Sequence, residues 1–587
     1  MVDAIASSFR KAGLIPFEEQ EIRRFEEMGA WGEETLWEQF QKNASATPDA
    51  LALIDDPRRA EFTWGSAQRL NYDEAVVEVD AMAIVMRDLG LQPGDIIFYY
   101  LPNVIEQAII LLAAWRCGII VSPLLPQFQS KEILEIFDAA KPKAIFTADR
   151  LGKSALAERI KATLADKYDG PILVYGNTPS GCVSLEGLVT RAKSVTGDAL
   201  TDLEAIDPNA AATICWTSGT EGTPKGVVRT HNNWNVTSLS VCQGGQLEKG
   251  ERLLNPFPFV NMASIGGVFT TWLRSGGSFS QHIPFNLDAL LDQIEADQIS
   301  YTVLAPAILT RIANSEKFKS GKLDSLRALG TGSAPIDGAI IVKYEDELGI
   351  KITNLFGSNE GTSLSSGPID CPDPFARASS FPRVGRPEFE WRVSNANWIK
   401  SKLVDTESGE EITATGESGV LLIKGPSLFP GYYRDGRIDR SDFDSDGYFS
   451  TGDLFEIGEE DDVQNQYRFV GRHKDIIIRG GMNIAPTELD LLLMEHPQLV
   501  EGAVASYPDD ELGERVCACI VPHDGVDIGL DDIIEYLTTK NMARYKLPER
   551  MIVIEAVPRN AMQKIERHTL RDIIAGFDRL DNAEVVA

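Results

Sequence analysis

The apolar positions of this chain fall into two rhythms. Over 36–46 they recur at three- and four-residue intervals, which predicts an amphipathic helix, and the run Leu51-Ala52-Leu53-Ile54 predicts a short strand. Helical spacing returns over 72–89, followed by an apolar strand over 96–101, a helix over 106–116 and a strand over 119–122 closed by Pro123. The same succession appears at 132–147 and 287–304. Wholly apolar short strands separated by helices imply a parallel sheet covered on its faces by helices. From about position 388 the texture changes to short strands and turns, as in 419–424 and Asp444-Ser445-Asp446-Gly447, which predicts a β-rich subdomain. A charged link at 471–475 precedes Ile476-Ile477-Ile478 and a glycine pair, and beyond it lie a helix over 486–495, a strand over 514–521 and a helix over 530–541. The expected fold is α/β: a large N-terminal domain (1–470) of helix-covered sheets with a β-rich subdomain, a hinge (471–475) and a small α+β C-terminal domain (476–587).

With 587 residues, 43% of them apolar, the chain can bury more than one core. Its formal charge of −31 repels phosphate backbones and anionic lipid headgroups, so nucleic acid and membrane insertion are not expected, and any phosphate site must be local. The longest apolar run, 109–121, contains Arg116 and is too short to span a bilayer. Neither end carries a secretory, peroxisomal or endoplasmic-reticulum address, which makes a cytoplasmic location the expectation. The seven cysteines are scattered and read as reduced core residues; Cys517 and Cys519 share one face of a strand without further metal ligands nearby. The six histidines show no ligand spacing, and His231 reads as a structural residue.

The candidate chemistry starts at Thr217-Ser218-Gly219-Thr220-Glu221-Gly222-Thr223-Pro224-Lys225-Gly226, directly behind an apolar strand. Glycines let backbone N–H groups approach an anion, Ser and Thr hydroxyls add donors, and Lys225 adds a point charge, so this segment suits phosphates. It is not a Walker A loop, because Pro224 and Gly226 replace the second glycine and the Mg-binding hydroxyl. A surface turn between strands is the plainer alternative. In Asn354-Leu355-Phe356-Gly357-Ser358-Asn359-Glu360-Gly361 an aromatic ring able to stack on a purine stands near a carboxylate able to hold Mg²⁺. Gly330-Thr331-Gly332-Ser333-Ala334-Pro335 is a small-residue loop against which a flat ring fits. Asp453, after the turn Ser450-Thr451-Gly452, is placed to take two ribose hydroxyls, and Arg472 adds a cation further on.

Taken in this order, these motifs resemble the adenylate-forming superfamily of acyl- and aryl-CoA ligases, aryl-acid adenylating enzymes and peptide-synthetase adenylation domains, over about 37–574. The resemblance implies that Thr217, Ser218, Gly219, Thr220, Thr223 and Lys225 hold the ATP phosphates. It puts Gly332, Ser333, Ala334, Asn354, Phe356, Gly357 and Asn359 around AMP, Asp453 and Arg472 on the ribose, and Glu360 with Thr217 at Mg²⁺. Lys564, in Pro558-Arg559-Asn560-Ala561-Met562-Gln563-Lys564-Ile565, matches the lysine that binds the reacting carboxylate and the α-phosphate, with Gln563 where relatives usually have glycine. The small domain is then mobile about Lys474, and Gly480 and Gly481 line the tunnel for CoA. The acid pocket falls on Pro256-Phe257-Pro258-Phe259-Val260-Asn261-Met262-Ala263-Ser264, where either Asn261 or Phe259 takes the place of a histidine common in relatives; Val260, Ser264 and Gly330 complete it. The implied activity is ATP-dependent conversion of an aromatic, alicyclic or medium-sized apolar carboxylic acid to acyl-AMP and then acyl-CoA. Loading of a carrier-protein phosphopantetheine and a catalytically silent nucleotide-binding module are the alternatives, and a homodimer stays open.

Overall fold

The computed structural model describes residues 14–195, 200, 203–217, 224–361, 363–386, 389–434, 436–458, 465–559 and 564–584. Its first helix in the large unit after the N-terminal segment, Leu36–Ala46, starts where Thr35 and Glu38 cap each other: the Thr35 side chain accepts from the Glu38 amide and the Glu38 carboxylate accepts from the Thr35 amide. Asn71 and Glu74 repeat this device at Tyr72–Asp88. Between these helices and the next, strand Ile96–Tyr100 runs parallel to both Ile120–Pro123 and Ala144–Ala148. All five of its residues are buried, which explains a run of Ile and aromatics without alternation. The apolar run at 109–121 resolves into the almost wholly buried helix Ile105–Arg116 and the following strand. No described helix is long and apolar enough to cross a membrane.

Among the described residues the strands form sheets of nine, eight, six and five strands, with a further two-stranded ribbon. The nine-stranded sheet carries Ile96–Tyr100 and, towards one edge, the antiparallel trio Ala211–Thr217, Lys225–Thr230 and Tyr432–Arg434. The eight-stranded sheet contains the parallel neighbours Tyr301–Leu304, Ala328–Gly332 and Lys351–Gly357. The β-rich sheet includes Phe449–Ile457 and Gln466–Arg472, and it begins at Ser380–Pro382, earlier than position 388; three residues ending in proline give too short a run for periodicity to detect. After Arg472 a 3₁₀ turn, His473–Asp475, leads to Ile477–Arg479, the start of the five-stranded sheet. There Gly480 and Gly481 form the two-residue turn of a hairpin with φ of +57° and +80°, a backbone shape that favours glycine at both places.

Cys517 and Cys519 are buried in the strand Gly513–Pro522, and His231 is buried at the start of helix His231–Gly244, its Nδ1 accepting from the Leu36 amide. Burial holds that imidazole neutral, with its pKa down to about 3. All seven cysteines are free thiols.

The large unit is fastened internally by Arg59, which is fully buried between Asp55 (2.6 Å) and Glu106 (2.7 Å) and lies 4.7 Å over the Trp64 ring. Removing the guanidinium leaves two buried carboxylates without a counter-charge, which costs about 3–5 kcal/mol. Arg59→Ala is therefore expected to lower the denaturant midpoint of the large unit's unfolding transition, followed by tryptophan fluorescence. A midpoint equal to that of the unaltered protein would contradict this role.

Candidate active site

Two sheets end at the same place. Thr217 closes a strand of the nine-stranded sheet, while Gly332 and Gly357 close strands of the eight-stranded one, and ligands of open α/β folds bind beyond such ends. Thr217 and Lys225 are cross-strand partners at the open end of their hairpin; Ser218, Gly219, Thr220 and Thr223 lie outside the described residues. Lys225 pairs with Asp442 at 3.0 Å and sits 4.6 Å over the Tyr432 ring. A first side-chain carbon on Gly226 would stand 3.0 Å from Ile214 and from the Trp216 indole, tighter than ordinary contact, so either neighbour would have to shift.

The acidic turn Ser358 to Gly361 follows strand Lys351–Gly357. Tyr432 donates to Glu360 Oε1 at 2.8 Å, and the Phe429 amide donates to the Glu360 carbonyl at 2.8 Å. Gly361, at φ +96°, is pressed against the Ser427 carbonyl and the Arg229 guanidinium, so only glycine fits. Arg229 is completely buried, stacks 4.4 Å over Trp234, and donates to the carbonyls of Asn359 (3.3 Å) and Asn233 (2.9 Å) and to Thr237 Oγ1 (2.7 Å). Burial, opposed weakly by Glu360, brings its pKa down to about 9. Asn359 Oδ1 accepts from the Met262 amide at 2.8 Å, which ties the acidic turn to the 259–264 segment.

Across the cleft, Asp453 and Arg472 are cross-strand partners with Oδ1 and Nε 3.4 Å apart. Burial pushes the Asp453 carboxyl up to about 6; Arg472 and Lys564 oppose that rise and Glu360 adds to it. Lys564 is half-buried, and burial, helped by Arg472, brings its ammonium down to about 8 while Asp453 and Glu360 favour the charge and Lys474 disfavours it. Glu360, Asp453, Arg472, Lys474 and Lys564 thus come from distant stretches of chain into one electrostatic cluster.

Phe356 is half-buried against Phe455 (5.0 Å, edge to face), Phe381 and Phe469. Asn354 is buried, and its Nδ2 donates to the carbonyls of Arg377 and Ala378, so the described structure gives that amide a scaffolding contact. Gly332 lies against the Leu355 carbonyl. Ser333 is exposed at φ +69°, an unusual conformation for a serine and a sign of a constrained loop, and Ala334 beside it is exposed. Of the two candidates for the histidine place, Asn261 is half-buried and caps the π-helix Met262–Phe269, accepting from the amides of Ala263 (3.1 Å) and Ser264 (3.3 Å). Phe259 is fully buried, 4.9 Å from Phe269 and 5.5 Å from Phe279. Val260 and Ser264 are buried too.

Glu360 brings a single carboxylate, and among the described residues no three His, Cys, Asp or Glu side chains converge. That donor set fits Mg²⁺, which takes one or two protein oxygens and completes its shell with water and substrate phosphates. Sequence reasoning missed Arg229, Tyr432 and Asp442. Their roles arise because Lys225–Thr230 pairs with Tyr432–Arg434 across two hundred positions, and no local pattern signals such a pairing.

The profile of the AMP-binding enzyme family matches residues 40–433, and that of the AMP-binding enzyme C-terminal domain matches 488–564. The chain belongs to the AMP-binding enzyme family. It is 27% identical to the medium-chain fatty-acid–CoA ligase of Escherichia coli (strain K12), covering 96% of this chain and 95% of that protein. It is also 27% identical to a salicylyl-CoA synthase / salicylate adenylyltransferase of a Streptomyces species, over 98% of this chain and all of that one. ATP-bound MatB from Rhodopseudomonas palustris shares the fold with a TM-score of 0.75 at 24% identity, covering 92% of this chain and 99% of that structure. Within this family the chain is an AMP-forming acid–thiol ligase, with ATP and a carboxylic acid as substrates.

With its pKa near 8, Lys564 is charged below that pH and neutral above it, whereas an unperturbed lysine stays charged to about 10.4. Acetylation of Lys564 by an amine-reactive reagent, read by peptide mass spectrometry, should accelerate with pH and level off near 8. Continued acceleration past pH 9 would contradict the burial and charge environment described.

Proposed function

We propose that the cluster around Lys564 joins an aromatic, alicyclic or medium-sized apolar carboxylic acid to AMP and then transfers the acyl group to CoA. The observation that supports this most is the meeting of Lys564 with Asp453, Arg472 and Glu360, since a carboxylate and the α-phosphate of ATP repel each other until cations hold them in line. Lys564 neutralises the attacking carboxylate, whose oxygen bonds to the α-phosphorus as pyrophosphate leaves. Asp453 and Arg472 hold the ribose, and Phe356 with the Gly332, Ser333 and Ala334 loop holds adenine. Thr217 to Lys225 holds the departing phosphates. Mg²⁺, when bound at Glu360 with Thr217, supplies positive charge to those phosphates. Arg229 fixes the Asn359 carbonyl and Tyr432 one oxygen of Glu360, so the carboxylate is oriented before substrate arrives.

In the second half-reaction the thiol sulfur attacks the acyl carbon and AMP leaves. The unit beyond residue 475 turns about Lys474 for this step, and the hairpin at Gly480 and Gly481 borders the path of the pantetheine arm. A side chain at Gly481 meets nothing within 4 Å, so this position faces open space that a thin chain can occupy. Carrier-protein loading is the competing reading of the same site. It is supported by relatives whose names stop at the adenylate, such as the vibriobactin-specific 2,3-dihydroxybenzoate-AMP ligase of Vibrio cholerae, 27% identical over 95% of this chain and 97% of that one.

The test is pyrophosphate release from ATP across aryl, alicyclic and fatty acids, with and without CoA. Acid-dependent release with formation of a CoA thioester is expected; release that leaves CoA unconsumed selects the carrier protein, and no release with any acid overturns the reading. Lys564→Ala should lower adenylate formation by about 100-fold or more, as loss of one charge-stabilising donor does elsewhere. Gly481→Leu should reduce thioester formation while adenylate formation persists, and an equal loss of both half-reactions would contradict the tunnel assignment.

A further inference from the structure

Beside Gly330, which the reading above places in the acid pocket, stands a tyrosine hydroxyl without a hydrogen-bond partner among the described residues. Tyr301, 1% exposed, starts the strand Tyr301–Leu304, and its neighbour in the sheet, Gly330, is paired with Val303. A first side-chain carbon on Gly330 would stand 2.6 Å from the Tyr301 hydroxyl, 3.0 Å from Leu355 Cδ1 and 3.1 Å from Val303 Cγ2. The phenol therefore slants under Gly330, towards the end of the sheet where Gly332 and Ser333 stand. Gly267 of the π-helix approaches the same side chain, its own first side-chain carbon falling 3.5 Å from Val303 Cγ2. Val303 Cγ2 thus lies close to both Gly330 and Gly267, and the Tyr301 hydroxyl stands beside Gly330.

Other buried tyrosines place their hydroxyls on carbonyls: Tyr72 on Gly277, Tyr100 on Pro126 and Tyr344 on Leu309. Among the described residues the Tyr301 hydroxyl has no such partner. A ligand oxygen at that point would give the hydroxyl the hydrogen bond that the described residues do not supply. We propose that Tyr301 is a specificity-determining residue whose hydroxyl donates to an oxygen at the far end of the acid. The substrate class narrows to acids bearing a hydroxyl, ether or carbonyl oxygen remote from the carboxylate. This rests on the acid-ligase reading above and on the 259–264 segment with Gly330 as its pocket.

The test compares kcat/KM, by pyrophosphate release, for pairs sharing one skeleton: benzoate with its meta- and para-hydroxy forms, cyclohexanecarboxylate with its ring-hydroxylated form, and hexanoate with its terminal-hydroxy form. In the unaltered protein at least one oxygenated acid should exceed its parent by about tenfold, the worth of one well-placed hydrogen bond. In Tyr301→Phe, which keeps the ring, the ratio for that pair should fall towards one, with thermal melting showing that the variant is folded. Parent acids preferred in every pair, or a ratio unchanged by Tyr301→Phe, would overturn the proposal. Failure of every acid to release pyrophosphate in the unaltered protein would instead remove the acid-ligase reading, and this inference with it.

Discussion

Two carboxylates in one poorly solvated cleft must be held apart in charge, and the site is arranged around that need. Burial pushes the Asp453 carboxyl up to about 6, with Arg472 and Lys564 opposing the rise and the Glu360 charge adding to it. Arg472 faces Asp453 across the strands, Lys564 enters from the far end of the chain, and Arg229 lies sealed behind the acidic turn. In a chain of net charge −31, these cations form a local exception where anionic reactants can be gathered.

The cost of this gathering falls on the cations. Arg229 and Lys564 both have lowered pKa values because burial outweighs the attraction of their neighbours. An incoming carboxylate or phosphate would restore what burial removes, so the cluster favours anions more than a solvated pair of the same charges would. The scaffold that holds it is made of backbone contacts: the shared strand Lys225–Thr230, the close approach at Gly361 and the Asn359 link to Met262.

Much of this was legible in the sequence. Helix and strand bounds at 36–46, 51–54 and 72–89 fall within a residue of those observed, because capping residues and continuous apolar runs mark them locally. The glycine pair at 480 and 481 announced its turn, and the motifs around Glu360, Asp453 and Lys564 could be picked out one by one. What could not be read was who supports them. Arg229 looked like one charge in a strand, and Tyr432 like one more aromatic, until strand pairing set them beside Asn359 and Glu360. Two prolines left the pocket register open between Phe259 and Asn261, and only packing separates a core ring from a helix cap. That the Tyr301 hydroxyl finds no hydrogen-bond partner among the described residues is likewise a fact of packing, invisible in a run of apolar residues.

The central claim is that the acid's own oxygen attacks the α-phosphorus beside Lys564. It is tested most directly by supplying an acid labelled with heavy oxygen in its carboxyl group, completing the turnover with CoA, and weighing the AMP and pyrophosphate by mass spectrometry. The account predicts one labelled oxygen in AMP and none in pyrophosphate. Label in pyrophosphate, or unlabelled AMP from an acid that has become a thioester, would contradict it.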